Sequence, residues 1–475
     1  MNPRRWQILA ICCISLLMTG LDTTIVNVAL PSIHRSLHAS LAGLQWIVDA
    51  YTLVLASLLM FGGSMGDKLG RKRVFMTGLA IFITGSAVCA AAPSLGVLVA
   101  ARAFQATGGS MLNPVALSIV RDVFTEPRER AQAIGFWGAM IGLSTAMGPV
   151  LGGVFVDTIG WRYVFLVNIP IGLLALALTY FQVPESRAKR ARSADPVGQV
   201  LVIVMLATLT YAIIEGRSQG YTSGIILTLF ALCAAAFTAL LAYELQHPEP
   251  LIEFRFFRAI PFAGSTASAL CSFAAFSGFL FLNTLYLQEA RGFSALKAGI
   301  CTLPMAVMTM ITPPLSGRLV ARYGSRPSLM AGGLAMMVAP LLLISLTVRT
   351  PLLLVLFSYA ILGAGFGAVN APITNTGVSS MPPAQAGVAA AITSSGRQVG
   401  ATIGIALAGA VAGSLVHGGS GVAFGAHFAH ATHPGWWLMT GFALVVVVLG
   451  FIATGPRALS SARRVNRLIA RESHA

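Results

Sequence analysis

The sequence predicts an all-α integral membrane protein whose fourteen transmembrane helices are arranged as six, two and six. Three observations predict it. Hydrophobic residues fill 56% of the 475 positions and charged ones only 10%, too few for the surface of a soluble protein of this length. Apolar runs of about 20 residues, long enough to cross a hydrocarbon core at roughly 1.5 Å per residue, recur from Ile8 almost to the C-terminus. A basic, glycine-bearing loop also occurs twice, at places that are equivalent in two six-helix sets if the two central helices are an insertion.

The first run, 8–30, follows Arg4 and Arg5 as a signal peptide would. It is longer than a signal h-region and no small-residue cleavage site follows it, so it reads as an uncleaved helix. Runs at 44–64 and 74–93 flank the loop GSMGDKLGRK, Gly63 to Lys72. Those at 95–119, 132–156 and 162–182 complete the first six. The polar, basic break Pro184 to Pro196 precedes runs at 197–215 and 222–243, and a second basic, proline-bearing segment, His247 to Arg258, follows that pair. Runs at 262–286 and 296–317 lead into GRLVARYGSR, Gly317 to Arg326. There Gly317 and Gly324 match Gly63 and Gly70, Arg322 matches Lys68, and Arg326 matches Lys72. Runs at 328–347, 351–376, 388–413 and 435–455 form the remainder. The expected divisions are a first bundle over 1–183, an inserted pair with basic flanks over 184–260, a second bundle over 261–455, and a basic cytoplasmic tail over 456–475. The loops are too short for an inserted soluble domain.

A net charge of +16 raises the question of a nucleic-acid partner, and the placement of the charge answers it. With the N-terminus inside, cytoplasmic segments carry 23 of the 31 Lys and Arg, whereas external loops carry six: Arg35, Arg162, Arg217, Arg291, Lys297 and Arg349. This is the positive-inside bias; it places both termini in the cytoplasm, and no nucleic acid is expected. Cys12, Cys13, Cys89, Cys233, Cys271 and Cys301 all fall within predicted helices and read as small packing residues. His417, His427, His430 and His433 lie in the last external loop without Cys, Asp or Glu beside them, so no metal is expected.

Of fifteen acidic residues, two lie well inside predicted helices: Asp22 and Asp49. A charge in hydrocarbon costs roughly 2.5–3.5 kcal/mol even on a lenient scale, so such groups usually face a cavity and act there. Asp22 lies roughly 12 Å from the outer end of its helix, Asp49 on the order of 9 Å, and Arg102 about 10 Å. Similar depth predicts one shared polar pocket, in which Asp22 and Asp49 carry protons or cations and Arg102 tunes them. Gln105, Gly109 and Asn113 share the face of Arg102 at helical spacing. With Asn27, Asn370, Arg397 and Gln398 they make the candidate cavity lining. Gly148, Pro149, Gly152 and Gly153 combine close backbone approach with a helix-distorting proline, as suits a helix that slides or bends. Gly363, Gly365 and Gly367 are similar but less specific.

At these residues the sequence resembles the major facilitator superfamily, in particular its fourteen-helix drug:proton antiporter branch. GSMGDKLGRK resembles the family's loop motif after the second helix, which implies a cytoplasmic gating latch of Gly63, Asp67, Gly70, Arg71 and Lys72. LVAARAFQATGG resembles the fourth-helix motif whose arginine, here Arg102, is tied to proton coupling; Ala106 stands where a glycine is usual. MGPVLGG resembles the fifth-helix antiporter motif, with Ser144 in place of its leading glycine. LDTTIVNVALP resembles the first-helix motif that supplies Asp22, LQWIVDAYTL the second helix of quaternary-ammonium and antibiotic exporters, and GWRYVFLVNIPIG (160–172) a stretch typical of the branch.

The resemblance implies the major facilitator fold and a proton-coupled antiporter. It would export small cationic or amphipathic compounds such as drugs, antiseptics or antibiotics across the bacterial inner membrane. The proton gradient would drive it, with no cofactor. Its partners are then substrate, protons and the bilayer; a monomer is expected, and no segment that would dock a periplasmic adaptor stands out. Within 262–455 no Asp or Glu lies at mid-membrane, which favours monovalent or neutral substrates. The alternatives are export of a single endogenous metabolite, such as a siderophore or self-made antibiotic, and a polytopic membrane enzyme. The enzyme would need an interfacial catalytic cluster that the sequence lacks, and no GxxxxGK[ST] loop supports an ATP-driven pump.

Overall fold

The computed structural model describes residues 3–188, 195–247, 249–382, 385–413 and 429–472. Among them every regular element is helical. In hydrocarbon each backbone N–H and C=O must be satisfied within the chain, and a helix does this locally. The helices are α1 (Pro3–Leu37), α2 (Leu41–Leu69), α3 (Arg71–Ala91), α4 (Leu95–Val123), α5 (Pro127–Thr158), α6 (Tyr163–Leu166), α7 (Asn168–Gln182), α8 (Pro196–Gln219) and α9 (Gly224–Glu244). After a 3-10 turn (Phe254–Arg258) come α10 (Ile260–Leu285), a π-turn (Tyr286–Ala290), α11 (Ala295–Cys301), α12 (Leu303–Tyr323), α13 (Ser325–Leu341), α14 (Leu352–Ser379) and α15 (Ala386–Gly413). Then follow α16 (His433–Ala453) and α17 (Pro456–Glu472).

Among the described residues, ten stretches are long and apolar enough to cross a membrane. The predicted segments 95–119, 132–156, 328–347 and 388–413 coincide with α4, α5, α13 and α15, which fall outside that group. α13 has only 17 residues, and α4 is diluted by Arg102, Gln105 and Asn113. Several helix ends overrun the predicted ones, whereas α13 stops at Leu341, short of 347. α1 passes through Pro31 to Leu37 instead of stopping at 30, and α2 starts at Leu41 behind Ser40, whose hydroxyl accepts from the Gly43 N–H. In a bundle, neighbouring groups satisfy the carbonyl that a proline frees, so proline is a weaker stop than in water. Two predicted helices are broken, 162–182 into α6 and α7, and 296–317 into α11 and α12. The stretch predicted as a tail is helical as α17.

The chain forms two compact units, Met1–Gln199 with Leu287–Leu303, and Val200–Tyr286 with Pro304–Ala475. In the first, α3 and α4 lie backbone to backbone: a Cβ on Gly85 would stand 2.6 Å from the Gln105 Cα. That approach places Ser86 of α3 opposite Gln105. In the second unit α12 and α14 meet as closely, with the Met305 carbonyl 2.1 Å from where a Cβ on Gly363 would lie. Phe276 of α10 stacks on Phe366 of α14 at 3.9 Å.

The repeated loop turns on a positive-φ glycine in each unit. Gly70 (φ 112°) separates α2 from α3, and Gly324 (φ 79°) separates α12 from α13. Both conformations are strained for a residue bearing a Cβ, which is why each helix pair turns on a glycine.

Candidate functional site

The first unit encloses a polar network drawn from α1, α3, α4 and α7. Asp22 and Arg102 are buried to 0% and 1% exposure. The Arg102 Nη1 donates to Asp22 Oδ2 at 2.5 Å and to Gln105 Oε1 at 2.8 Å, and its Nε donates to the Ile47 carbonyl at 3.2 Å. Asp22 Oδ1 accepts from Gln105 Nε2 and from Asn168 Nδ2, both at 2.9 Å. The same two amides donate to Ser86 Oγ, again at 2.9 Å. The guanidinium lies 4.1 Å from the centroid of the Tyr51 ring, an additional attraction for a desolvated cation. Buried charges persist when paired and hydrogen-bonded, and here one carboxylate takes three donors.

Asp49 stands apart. It too is fully buried, but its Oδ1 meets only the Thr52 hydroxyl, at 3.4 Å, and its Oδ2 has no hydrogen-bond partner. The expected pocket of three ionisable groups therefore divides: Asp22 and Arg102 bond directly, while no hydrogen bond or ion pair joins Asp49 to either. Sequence reasoning singled out Asp22, Arg102 and Gln105 but missed Ser86 and Asn168; Asn168 sits inside the quoted stretch 160–172, and that was the available signal.

Asn27 donates to the Thr23 carbonyl of its own helix at 3.0 Å, and its Oδ1 is buried without a partner. Asn113 Oδ1 accepts from the Thr19 hydroxyl at 3.4 Å, linking α4 to α1. In the second unit, Asn370 donates to the Phe366 carbonyl at 2.8 Å. Arg397 donates to the Thr374 hydroxyl at 2.5 Å with its guanidinium 5.7 Å from the Phe273 ring centroid, and its Nε is unpartnered. Gln398 is half-buried beside it on α15.

Where α2 meets α3, Arg71 Nε and Nη2 donate to Asp67 Oδ1 at 3.1 and 2.9 Å, and Nη1 donates to Asp122 at the end of α4. Lys72 Nζ donates to the Tyr180 carbonyl at 2.7 Å, and its backbone N–H to Glu185 Oε1 at 3.1 Å. Gly70 faces the Glu185 carboxylate, which lies 2.6 Å from where a Cβ would stand; Gly63 faces Pro114. One cluster thus ties α2, α3, α4 and the chain after α7. Asp122 and Glu185, which complete it, were missed. In the repeat, Ala321 and Ser325 occupy the places of Asp67 and Arg71, so the second unit has no such ion pair at its glycine.

The α5 glycines face two neighbours. A Cβ on Gly148 would meet the Thr24 hydroxyl at 1.9 Å and one on Gly152 the Ile25 side chain at 2.9 Å, both on α1. One on Gly153 would meet the Leu296 Cα of α11 at 2.4 Å. The Pro149 carbonyl lies against Gly299, and Asp157 accepts the Ala295 and Leu296 N–H groups at 3.1 and 2.8 Å, capping the start of α11.

Among the described residues no three His, Cys, Asp or Glu side chains are grouped to hold a metal. His433 is bound to the Leu346 carbonyl at 2.7 Å, with His430 4.9 Å away ring to ring; His417 and His427 lie outside the described residues.

The family model described as Major Facilitator Superfamily matches residues 12–405. The chain is 37% identical to the Multidrug resistance protein Stp of Mycobacterium tuberculosis (strain CDC 1551 / Oshkosh), over 86% of this chain and 76% of that protein. It is 35% identical to the Methylenomycin A resistance protein of Streptomyces coelicolor (strain ATCC BAA-471 / A3(2) / M145), over 83% of each. The fold is similar to that of a D-xylose-proton symporter, with a TM-score of 0.67 and 16% identity, covering 94% of this chain and 96% of that one.

Proposed function

The chain belongs to the Major Facilitator Superfamily, and from that premise we propose that it is a proton-coupled antiporter exporting small cationic or amphipathic organic compounds. In this reading all fourteen predicted segments cross a bacterial inner membrane, with both termini cytoplasmic by the positive-inside bias. The protein works as a monomer, without a cofactor, and the inward proton gradient supplies about 2.3 kcal/mol per charge per 100 mV. The relatives' names as multidrug and antibiotic resistance proteins support the substrate class.

The observation that carries the coupling reading is the contrast between the two buried acids. Protonating Asp22 would remove the charge that pairs with Arg102 and weaken the bonds it accepts from Gln105 and Asn168, whereas protonating Asp49 disturbs one long contact to Thr52. Asp49 is accordingly the proton carrier, and Asp22 ties α1 to α4 through Arg102 and to α7 through Asn168. The test is substrate-stimulated proton flux in proteoliposomes. Asp49→Asn is expected to abolish it while the protein still reconstitutes, and Asp49→Glu to restore a fraction. Full flux in Asp49→Asn overturns the assignment.

A second reading, a dedicated exporter of one antibiotic, is favoured by the name of the Methylenomycin A resistance relative. A susceptibility panel on cells overexpressing the chain separates the two: protection against several unrelated compounds supports the broad exporter, protection against one supports the dedicated one.

A further inference from the structure

The basic C-terminal helix plays no part in the site above, and its two faces differ sharply. Ala458, Ala462 and Val465 of α17 recur at three- and four-residue spacing and are buried to 0%, 7% and 5% exposure. This face packs on α10 and on the 3-10 turn Phe254–Arg258. The Ser461 hydroxyl accepts the Ile260 N–H at 3.0 Å, so α17 is pinned to the first turn of α10. Arg457, Arg463, Arg464 and Arg467 are all exposed, and none has an ion-pair partner among the described residues. The adjoining 3-10 turn adds Arg258, also exposed, and Phe257 at 36% exposure; Arg255 is instead occupied by Glu253 at 2.7 Å.

Two features point to a lipid rather than a free anion. α17 starts three residues after Ala453, where the membrane-length helix α16 ends with Phe451 and Ile452 at 57% and 50% exposure. The arginine face is also flanked by leucines left uncovered, Leu459 at 58% and Leu468 at 47%. Cations beside exposed apolar side chains, at the depth where a membrane helix ends, match a phosphodiester headgroup together with the first methylenes of its acyl chains.

We propose that α17 and the 3-10 turn Phe254–Arg258 form a binding site for anionic phospholipid in the leaflet that the end of α16 meets. The proposal requires only that the chain spans a membrane. It is independent of what is transported, so it is tested by binding rather than by flux.

The full chain, purified in mild detergent, is titrated with fluorescently tailed phosphatidylglycerol or phosphatidylcholine. Wild-type protein is expected to prefer phosphatidylglycerol, and added salt should erode the preference. Replacing Arg457, Arg463, Arg464 and Arg467 by Gln is expected to weaken phosphatidylglycerol binding roughly tenfold or more, whereas Lys at the same places keeps it. Glycerol phosphate at equal concentration should not displace the lipid. Elution volume and thermal unfolding establish that the Gln variant is folded; should it fail, Arg463→Gln with Arg467→Gln serves the same purpose. Three results overturn the proposal: no preference in wild-type protein, a preference that survives the Gln replacements, or displacement by glycerol phosphate as effective as by lipid. The last identifies a free-anion site. Without a lipid preference, an acidic protein retained by wild-type chain and lost by the Gln variant identifies a protein-docking face.

Discussion

Asp22 and Arg102 make a fully buried ion pair, and its energetics differ from those of the paired charges at the surface. Removing one member of such a pair costs about 3–5 kcal/mol, because the survivor stays desolvated without its counter-charge. Arg102→Met is therefore expected to lower the unfolding temperature of the purified protein clearly more than Arg102→Met combined with Asp22→Asn. A double variant no more stable than the single would show that the unpaired carboxylate is not the source of the loss. The Arg71–Asp122 contact is different, since the Asp122 side chain is 42% exposed. Exposed pairs contribute about 0–1 kcal/mol, so Asp122→Asn should leave stability nearly unchanged; a marked fall in transport by a variant of unaltered unfolding temperature would mark this cluster as a conformational latch. Asp22, Arg102 and Gln105 are legible in the sequence because a charge or amide within an apolar run stands out. Ser86 and Asn168 are not, because small polar residues are common between membrane helices and only proximity singles them out.

At the scale of the helix, the backbone contacts of glycines decide which neighbours an element accepts. Gly153 of α5 has the Leu296 backbone where a Cβ would go, whereas Gly441 of α16 has nothing within 4 Å. Gly153→Ala is expected to cost about 1–3 kcal/mol by overpacking. Gly441→Ala should be neutral or stabilising by up to about 1 kcal/mol through helix propensity. Thermal unfolding of the two variants checks the pair, and equal effects would contradict the packing argument. The glycine pattern of α5 is visible in the sequence, yet its partner is not. α11 lies more than a hundred residues later, and the capping of its start by Asp157 depends on a contact that no local periodicity encodes. α17 is a converse case. The three- and four-residue spacing of Ala458, Ala462 and Val465 was available, but the density of arginine made the segment read as a tail.

For the whole molecule, the repeated loop relates the two units while their chemistry differs. Both turn on a positive-φ glycine, but the buried ion pair and the Asp67–Arg71–Asp122 cluster belong to the first unit, and the second has Arg397 against a hydroxyl and an aromatic ring. With no Asp or Glu expected at mid-membrane within 262–455, transport is expected to be faster for a monocationic dye than for a dicationic one of similar size. Uptake of the two into inverted vesicles measures this, and equal rates would contradict it.

By itself the sequence determined that the chain is a helical membrane protein, where nearly every helix lies, and that its basic loop repeats. These follow from local quantities: mean hydropathy, the rise per residue, and the conformations open to glycine. Only the tertiary structure decided that Asp22 rather than Asp49 meets Arg102, that Ser86 and Asn168 complete their network, and that Asp122 and Glu185 complete the cluster at Gly70. Helical periodicity assigns a side chain to a face. Which face it meets depends on how closely the backbones approach, and that is settled jointly by residues far apart in the chain.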